Sequence, residues 1–324
     1  MRGHIKKRGK DSYSVVISLG RDPATDKYRY LWESVKGTKR EAERRLSEVL
    51  NQIDNGTFSR PSKRTLAEYL ETWLKEYVWT ELAPRTAEGY DLVVHRHLIP
   101  ALGNITLTGL KPEHVQRYQS EKLSCGRADG GGGLSARTVR HHYMALHAAL
   151  ERAVKIGLVS RNVADAVSPP RFQRHQWQSL SEFGVSSVLE AASETPYYVL
   201  FCQPLFTGMR RSELLALRWC DVDLVLGRVQ VTRSLHQLKG SEIVVRSPKS
   251  ERSRRSVSLP PSAIVVFQEE RERQQRERAA VGSELKDDDL IFRDLEGRPL
   301  RPDTVTHAWV KLVRRIGLRG DPAA

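Results

Sequence analysis

The most informative segment of this chain reads Leu205-Phe-Thr-Gly-Met-Arg-Arg-Ser-Glu-Leu-Leu-Ala-Leu-Arg-Trp-Cys-Asp-Val-Asp-Leu224. Thr207-Gly208 interrupts the apolar run before it, and the spacing of the leucines predicts a helix over 212–217. Arg210 stands at the start of that helix, where rigid backbone holds it while its side chain faces a cleft. Because a guanidinium matches a phosphate in two-point contact, the pattern points to an anion-binding arginine. A lone arginine at such a position is more often an exposed charge on an amphipathic helix.

The whole segment resembles the first-arginine motif of the tyrosine recombinases, the phage integrase family. In that family the arginine after Thr-Gly-x contacts the scissile phosphate, and a glutamate three residues later supports it. The resemblance implies that Arg210 is the catalytic, phosphate-binding arginine and that Glu213 is its supporting residue. It also implies a multidomain, mainly α fold with small β-sheets, whose catalytic domain is mixed α+β.

The composition limits the class of protein. A chain of 324 residues exceeds one compact core, so two or three domains are expected. The formal charge is +14 and the pI is about 9.8, which favours a polyanionic partner such as nucleic acid. No apolar run is long enough for a membrane helix, and no signal-peptide core follows the basic N-terminus. We therefore expect a cytoplasmic protein without a membrane partner.

The three cysteines give no sign of a metal site or a disulfide framework. They are scattered along the chain, as Cys125, Cys202 and Cys220. Because no Cys-x-x-Cys pair occurs, we expect all three to be buried small hydrophobes.

An N-terminal module over 1–56 is predicted from strand alternation and helix capping. Residues 12–19 and 28–35 alternate as two strands with a turn cluster between them. Thr38 and Glu41 have the spacing of a capping box, which predicts a helix. The first 64 residues hold 16 lysines and arginines against 8 acidic residues.

This module resembles the arm-DNA-binding domain of integrases, a three-stranded sheet with a helix, whose sheet enters the major groove. Its basic side chains are the candidate DNA contacts, namely Lys6, Lys7, Arg8, Arg21, Lys27 and Arg29. Any one of them is as well explained as a solvated surface charge. The prediction therefore depends on their collective charge.

A block of four or five helices is predicted over 65–166. Thr65 caps the first helix, and Ser135 caps a long last helix. The patterns at 86–103 and from Ser135 onward resemble the helical core-binding, SAM-like domain of the same family. The candidate phosphate contacts in this block are Arg85, Arg137, Arg140, His141 and His142.

Three stretches without apolar periodicity are predicted as loops or linkers, at 57–64, 126–133 and 168–178. The second is glycine-rich, but no strand precedes it, so a tether is favoured over a phosphate cradle. The third contains Pro169-Pro170, which favours an extended chain. The domains are therefore expected over 1–56, 65–166 and 179–324, and the resemblance implies that the last is an incomplete catalytic domain.

A second catalytic motif is expected after Arg210. Following a strand over 242–245, the segment 247–260 resembles the family's Pro-Lys-Thr…Ser-x-Arg-x-Val-x-Leu-Pro hairpin. The resemblance implies that Lys249 lies on the hairpin turn and protonates the departing 5′ oxygen. The returning strand is then expected over 255–259. Two neighbouring arginines are candidate contacts to the DNA backbone, Arg254 and Arg255.

The later motifs of the family are not found in these 324 residues. In the family, a His-x-Leu-Arg-His segment, a further His or Trp and a nucleophilic tyrosine follow. Here the last tyrosine is Tyr198, which precedes Arg210. We therefore expect an integrase truncated before its second arginine and its nucleophile, and inactive alone.

The resemblance implies site-specific recombination that integrates a mobile element, of prophage or conjugative-transposon type. A tyrosine would attack the scissile phosphate to give a 3′-phosphotyrosyl link, with no ATP, metal or other cofactor. The implied partners are double-stranded attachment-site DNA and further copies of the chain on that DNA. One alternative is a non-catalytic DNA-binding protein that occupies recombination sites or represses. A metal-dependent nuclease is disfavoured because no carboxylate cluster accompanies Arg210.

Overall fold

The computed structural model of this chain describes residues 3–21, 26–54, 63–127, 130–173, 179–247, 254–294 and 296–318. These residues fall into two units, Met1–Arg174 and His175–Ala324. Separate apolar cores lie in the N-terminal module, in the helical block and in the second unit. Among the described residues, no helix has both the length and the apolar composition that crossing a membrane requires.

The N-terminal module is an antiparallel sheet of order β1-β2-β3 with one helix packed on it. Its elements are β1 Gly3–Gly9, β2 Ser12–Arg21, β3 Tyr28–Lys36 and α1 Lys39–Asp54. The two predicted strands and the helix are confirmed. The Glu41 carboxylate accepts the Thr38 backbone N–H at 2.6 Å, as the capping box predicts. The periodicity did not reveal β1, because Ile5 is its only apolar side chain.

Helices form the rest of the first unit. They are α2 Leu66–Trp73, α3 Trp79–Glu81, α4 Pro84–Val93, α5 Ile99–Leu102, α6 Pro112–Cys125 and α7 Ala136–Lys155. One π-helical turn, Leu74–Val78, joins α2 to α3, and another, Val94–Leu98, joins α4 to α5.

Local capping explains where two of these helices begin. The Thr65 hydroxyl accepts from the Glu68 backbone N–H at 3.2 Å, and the Glu68 carboxylate accepts from the Thr65 N–H at 2.8 Å. The Ser135 hydroxyl accepts from the Thr138 N–H at 3.2 Å at the start of α7. Both predicted caps are therefore confirmed.

In its described residues, the second unit combines five α-helices and five short strands. The helices are α8 Glu182–Ser193, α9 Tyr198–Thr207, α10 Arg211–Leu214, α11 Pro261–Ala280 and α12 Pro302–Arg315. The strands are β4 Val222–Asp223, β5 Arg228–Val231, β6 Ser234–Gln237, β7 Ile243–Arg246 and β8 Arg255–Ser258. Helix α10 is shorter than the predicted 212–217. The N–H groups of Ala216 and Leu217 bond three residues back rather than four, which closes the helix after one turn.

Strand β8 forms as predicted, but its partner differs from the expected hairpin. Strands β4, β5 and β8 make one antiparallel sheet, whereas β6 pairs with β7. The physical reason lies in burial, since β5 buries Val229 and Val231 in the core beside β8, while none of the four residues of β7 is fully buried. The expected pairing of 242–245 with 255–259 is therefore wrong.

The cysteines also differ from expectation. Cys202 in α9 is buried, but Cys125 and Cys220 are exposed. Cys125 is the last residue of α6, and Cys220 lies in a short 3-10 turn, so both side chains reach the solvent. The prediction of burial is wrong for these two.

Candidate phosphate-binding site

A sharp turn between α9 and α10 places Arg210. Gly208 adopts a left-handed φ of 62°, and its N–H donates to the Pro204 carbonyl at 2.9 Å. The Thr207 hydroxyl accepts from the Met209 N–H at 3.3 Å, and the Met209 side chain is buried. Glycine is favoured at such a left-handed helix end. The turn leaves Arg210 as the N-cap residue of α10.

The Glu213 carboxylate is the centre of this site. It is 7% exposed and accepts four hydrogen bonds. Two come from Arg210, its backbone N–H at 2.8 Å and its Nη1 at 3.0 Å. The other two come from Arg255, its Nη1 at 2.9 Å and its Nη2 at 2.8 Å. Because a carboxylate has about four acceptor positions, these donors satisfy Glu213 completely.

The charges of this cluster leave one positive charge in excess. Burial would raise the pKa of the Glu213 carboxyl, but the hydrogen bonds from Arg255 and Arg210 outweigh burial and lower that pKa to about 2. The contact with Glu213 also raises the pKa of the Arg255 guanidinium. Two cations therefore surround one anion at neutral pH. The excess charge reaches the solvent at Arg210, whose side chain is 73% exposed.

The adjacent arginine, Arg211, is tied to helix α12 instead. Its Nη1 donates to the Pro302 carbonyl at 3.2 Å and also to the Thr306 hydroxyl. Among the described residues, Nε and Nη2 of Arg210 make no hydrogen bond, so these two donors are left for an anion. Both arginines line a mostly apolar cavity of about 610 Å³ between α9, α10 and α12.

The other residues expected beside Arg210 have different positions. Arg255 begins β8, and both of its terminal nitrogens are occupied by Glu213. This arrangement does not favour the predicted contact of Arg255 with the DNA backbone, because those donors are committed to a buried carboxylate. Arg254 precedes β8 and is exposed. Lys249 lies outside the described residues.

The open face of the N-terminal sheet is basic and aromatic. Alternation places Lys6 and Arg8 opposite the face that packs against α1. Arg8 lies over the Trp32 ring at 5.8 Å, and Arg21 lies over the Tyr28 ring at 5.0 Å. The large aromatic side chains of this face are about half exposed, namely Tyr28, Tyr30 and Trp32.

The remaining basic candidates of this module do not share that face. Lys7 and Arg29 alternate onto the side that carries α1, and Arg29 is partly buried there. Lys27 is exposed just before β3. Arg21 also makes an exposed ion pair with Asp26 at 2.7 Å. The structure therefore separates the six candidates, and three of them lie with the exposed aromatic side chains.

A shallow groove of about 450 Å³ lies along the first turns of α7. Its lining includes the three candidates Arg137, Arg140 and His141, together with Met144 and Phe172. The Arg140 guanidinium lies 5.9 Å from the centre of the Phe172 ring. The groove therefore combines positive charge with an exposed apolar wall.

Two further candidates of the helical block differ from each other. Arg85 is exposed near the start of α4 and pairs with Glu88 at 3.3 Å. His142 is only 1% exposed, stacks on His97 at 4.3 Å, and lies 2.9 Å from the Tyr118 hydroxyl. Burial lowers the pKa of His142 to about 4. The prediction that His142 contacts phosphate is therefore wrong, because it is a neutral core residue.

Tyr197 and Tyr198 lie apart from Arg210. Both tyrosines line a cavity of about 960 Å³ with residues of α11, and Arg210 does not line that cavity. Burial raises the pKa of the Tyr198 hydroxyl. Neither tyrosine is thus presented to the cavity beside Arg210.

Comparison with known proteins bears on both units. The family model "Phage integrase, N-terminal SAM-like domain" matches residues 65–123, and the model "Phage integrase family" matches residues 178–324. The chain is similar to an integrase of Streptomyces ambofaciens, at 30% identity over 93% of this chain and 75% of that protein. It is also similar to a "Tyrosine recombinase XerC-like" protein of Caldanaerobacter subterraneus subsp. tengcongensis, at 26% identity over 96% and 82%.

Solved structures share the fold. The Tn1549 transposon integrase, in complex with transposon right end DNA, has a TM-score of 0.62 at 17% identity, covering 79% of this chain and 80% of that one. A lambda integrase dimer bound to a COC′ core site has a TM-score of 0.55 at 16% identity, covering 98% and 81%. The fold and the matched models define a tyrosine recombinase. This chain belongs to the phage integrase family, whose activity is site-specific DNA recombination.

Proposed function

We propose that this chain binds duplex DNA at attachment sites and holds the scissile phosphate with Arg210. The observation that carries the proposal is the cluster in which Glu213 fixes one edge of Arg210 and leaves Nε and Nη2 available. Those N–H groups can bind two phosphoryl oxygens and stabilise the charge that develops on them during strand transfer. Lys249 supplies the proton for the departing 5′ oxygen in this proposal.

The proposed DNA contacts extend over both parts of the first unit. They comprise the basic N-terminal residues, above all Lys6, Arg8 and Arg21 beside exposed aromatic rings, and the α7 groove. Arg85 adds an exposed charge in the first unit, and Arg254 adds one in the second unit. Related structures are complexes with DNA, including a lambda integrase tetramer bound to a Holliday junction. They support duplex DNA and further copies of the chain as the partners.

A second function, occupation of recombination sites without cleavage, also has an observation in its favour. Tyr197 and Tyr198 line a cavity that Arg210 does not line. In this proposal Arg210 and Lys249 supply a phosphate clamp and an acid, and neither of these two tyrosines is placed to attack the phosphate.

The test is a titration of labelled duplex DNA at several salt concentrations. We expect affinity to fall steeply with salt, because bound lysines and arginines release counterions. Arg210→Ala should weaken binding about tenfold and make the salt slope shallower by about one. Arg276→Ala, an exposed charge on α11, is the matched control and should keep the wild-type slope. Affinity that is independent of salt, or an Arg210 variant that matches the control, would contradict the proposal.

A further inference from the structure

Arg255 reaches Glu213 because of its place in the sheet. In β8, Arg255 and Val257 are partly buried while Ser256 and Ser258 are exposed. Arg255 pairs with Val231 of β5, whose side chain is in the core. The strand therefore directs Arg255 inward, and its guanidinium meets the carboxylate in two parallel hydrogen bonds. This planar, two-point geometry is one that a lysine cannot reproduce.

We propose that Arg255 is a positioning residue for Arg210, acting through Glu213 and making no contact with DNA. The inference rests on the proposed function, in which Arg210 binds the scissile phosphate. Arg255 has two effects on the cluster. It fixes the plane of the carboxylate, and it neutralises the carboxylate so that the charge of Arg210 remains available to a phosphate.

Removal of Arg255 should reduce the ability of Arg210 to bind a phosphate. Glu213 would keep only Arg210 as its charged partner, and a buried carboxylate with two empty acceptor positions is unfavourable. The Arg210 guanidinium would then turn toward Glu213 and offer fewer donors to the phosphate. An Arg210–Glu213 pair alone also carries no net charge, so attraction for an anion is lost.

Direct contact between Arg255 and DNA is the competing explanation. It would require Nη1 and Nη2 to leave Glu213, whose side chain is 7% exposed. The cost of stranding that carboxylate opposes such a movement. The two explanations make opposite predictions for combined substitutions, because residues that act through one another are not additive.

The first experiment is a double-mutant cycle on DNA binding by the full chain. The variants are Arg210→Ala, Arg255→Gln and their combination, titrated against a labelled duplex that the wild-type protein selects from genomic fragments. We expect about tenfold weaker binding for each single variant and no further loss in the combination. Multiplied losses of about a hundredfold would show that Arg255 contacts DNA itself, and would overturn the proposal.

Two further variants separate positioning from charge and folding. Arg228→Gln removes an exposed arginine from the adjacent strand β5 and is the charge-matched control. Arg255→Lys restores the charge without the two-point geometry, so its affinity should lie between those of the wild type and Arg255→Gln. Each variant is checked by thermal unfolding. If Arg255→Gln binds no more weakly than Arg228→Gln, Arg255 does not position Arg210.

A second experiment needs no DNA. The Glu213 carboxyl is followed by carbon NMR during an acid titration of wild type and Arg255→Gln. We expect the pKa of Glu213 to rise clearly in the variant, because it loses two charge-assisted hydrogen bonds. An unchanged pKa would contradict the role of Arg255. A wild-type protein that binds no DNA would instead refute the proposed function, while the titration would still report on the cluster.

Discussion

Glu213 makes the stability of the second unit depend on pH. Its pKa in the folded chain is about 2, below the ordinary 4.5. A depressed carboxyl pKa contributes stability above pH 4.5, and that contribution is lost as the pH falls toward 2. It is on the order of 3 kcal/mol. Urea unfolding at pH 6 and pH 3 should show a larger loss for wild type than for Glu213→Gln, and equal losses would contradict the contacts of Glu213.

For contacts between individual residues, the sequence predicts those that lie within one motif. Arg210 and Glu213 are three residues apart, so the spacing places them together. Arg255 is 42 residues from Glu213, and its partner depends on the register of β8. Arg254 and Arg255 are identical in type, and a slip of one residue exchanges the buried position for the exposed one. The sequence therefore offered both as DNA contacts without separating them.

A substitution in strand β3 tests whether the N-terminal sheet binds DNA. Trp32 is 54% exposed, and Arg8 lies over its ring. Trp32→Ala should weaken duplex binding by about two- to fivefold through loss of the cation–π contact that orients Arg8. Its unfolding temperature should change little. Trp79→Ala, a similarly exposed tryptophan in the helical block, is the control. Equal binding of DNA by the two variants would show that this face of the sheet does not contact DNA.

Elements with strong local signals were predicted, and pairings between distant segments were not. The Thr38–Glu41 box and the Thr65 cap predict the starts of α1 and α2 from the sequence alone. The predicted partner of β8 is wrong. Adjacency along the chain favours β7, whereas burial of apolar side chains selects β5. The alternation of apolar residues does not predict β1, because most of its side chains are charged. The strand depends on its pairing with β2.

The division of the whole chain predicts where proteases cut first. Early cuts should fall within 56–63, 130–133 and 171–178, because these stretches lack apolar periodicity and offer little to a core. Residues 69–98 should resist, since their helices bury side chains such as Leu70 and Leu98 completely. Mass spectrometry of the first fragments provides the measurement. Early cleavage mainly inside 69–98 would show that the proposed domain boundaries are wrong.

Trapping of a covalent protein–DNA adduct tests most directly whether Arg210 acts at the scissile phosphate and whether these residues lack the nucleophile. The substrate is a nicked suicide duplex carrying the attachment site that the protein selects. We predict no detergent-resistant adduct with this chain. A chimaera that adds the C-terminal segment of the Streptomyces ambofaciens integrase should form one, and Arg210→Ala in that chimaera should abolish it. An adduct on Tyr197, Tyr198 or another tyrosine of this chain, or full activity of the Arg210→Ala chimaera, would contradict this prediction.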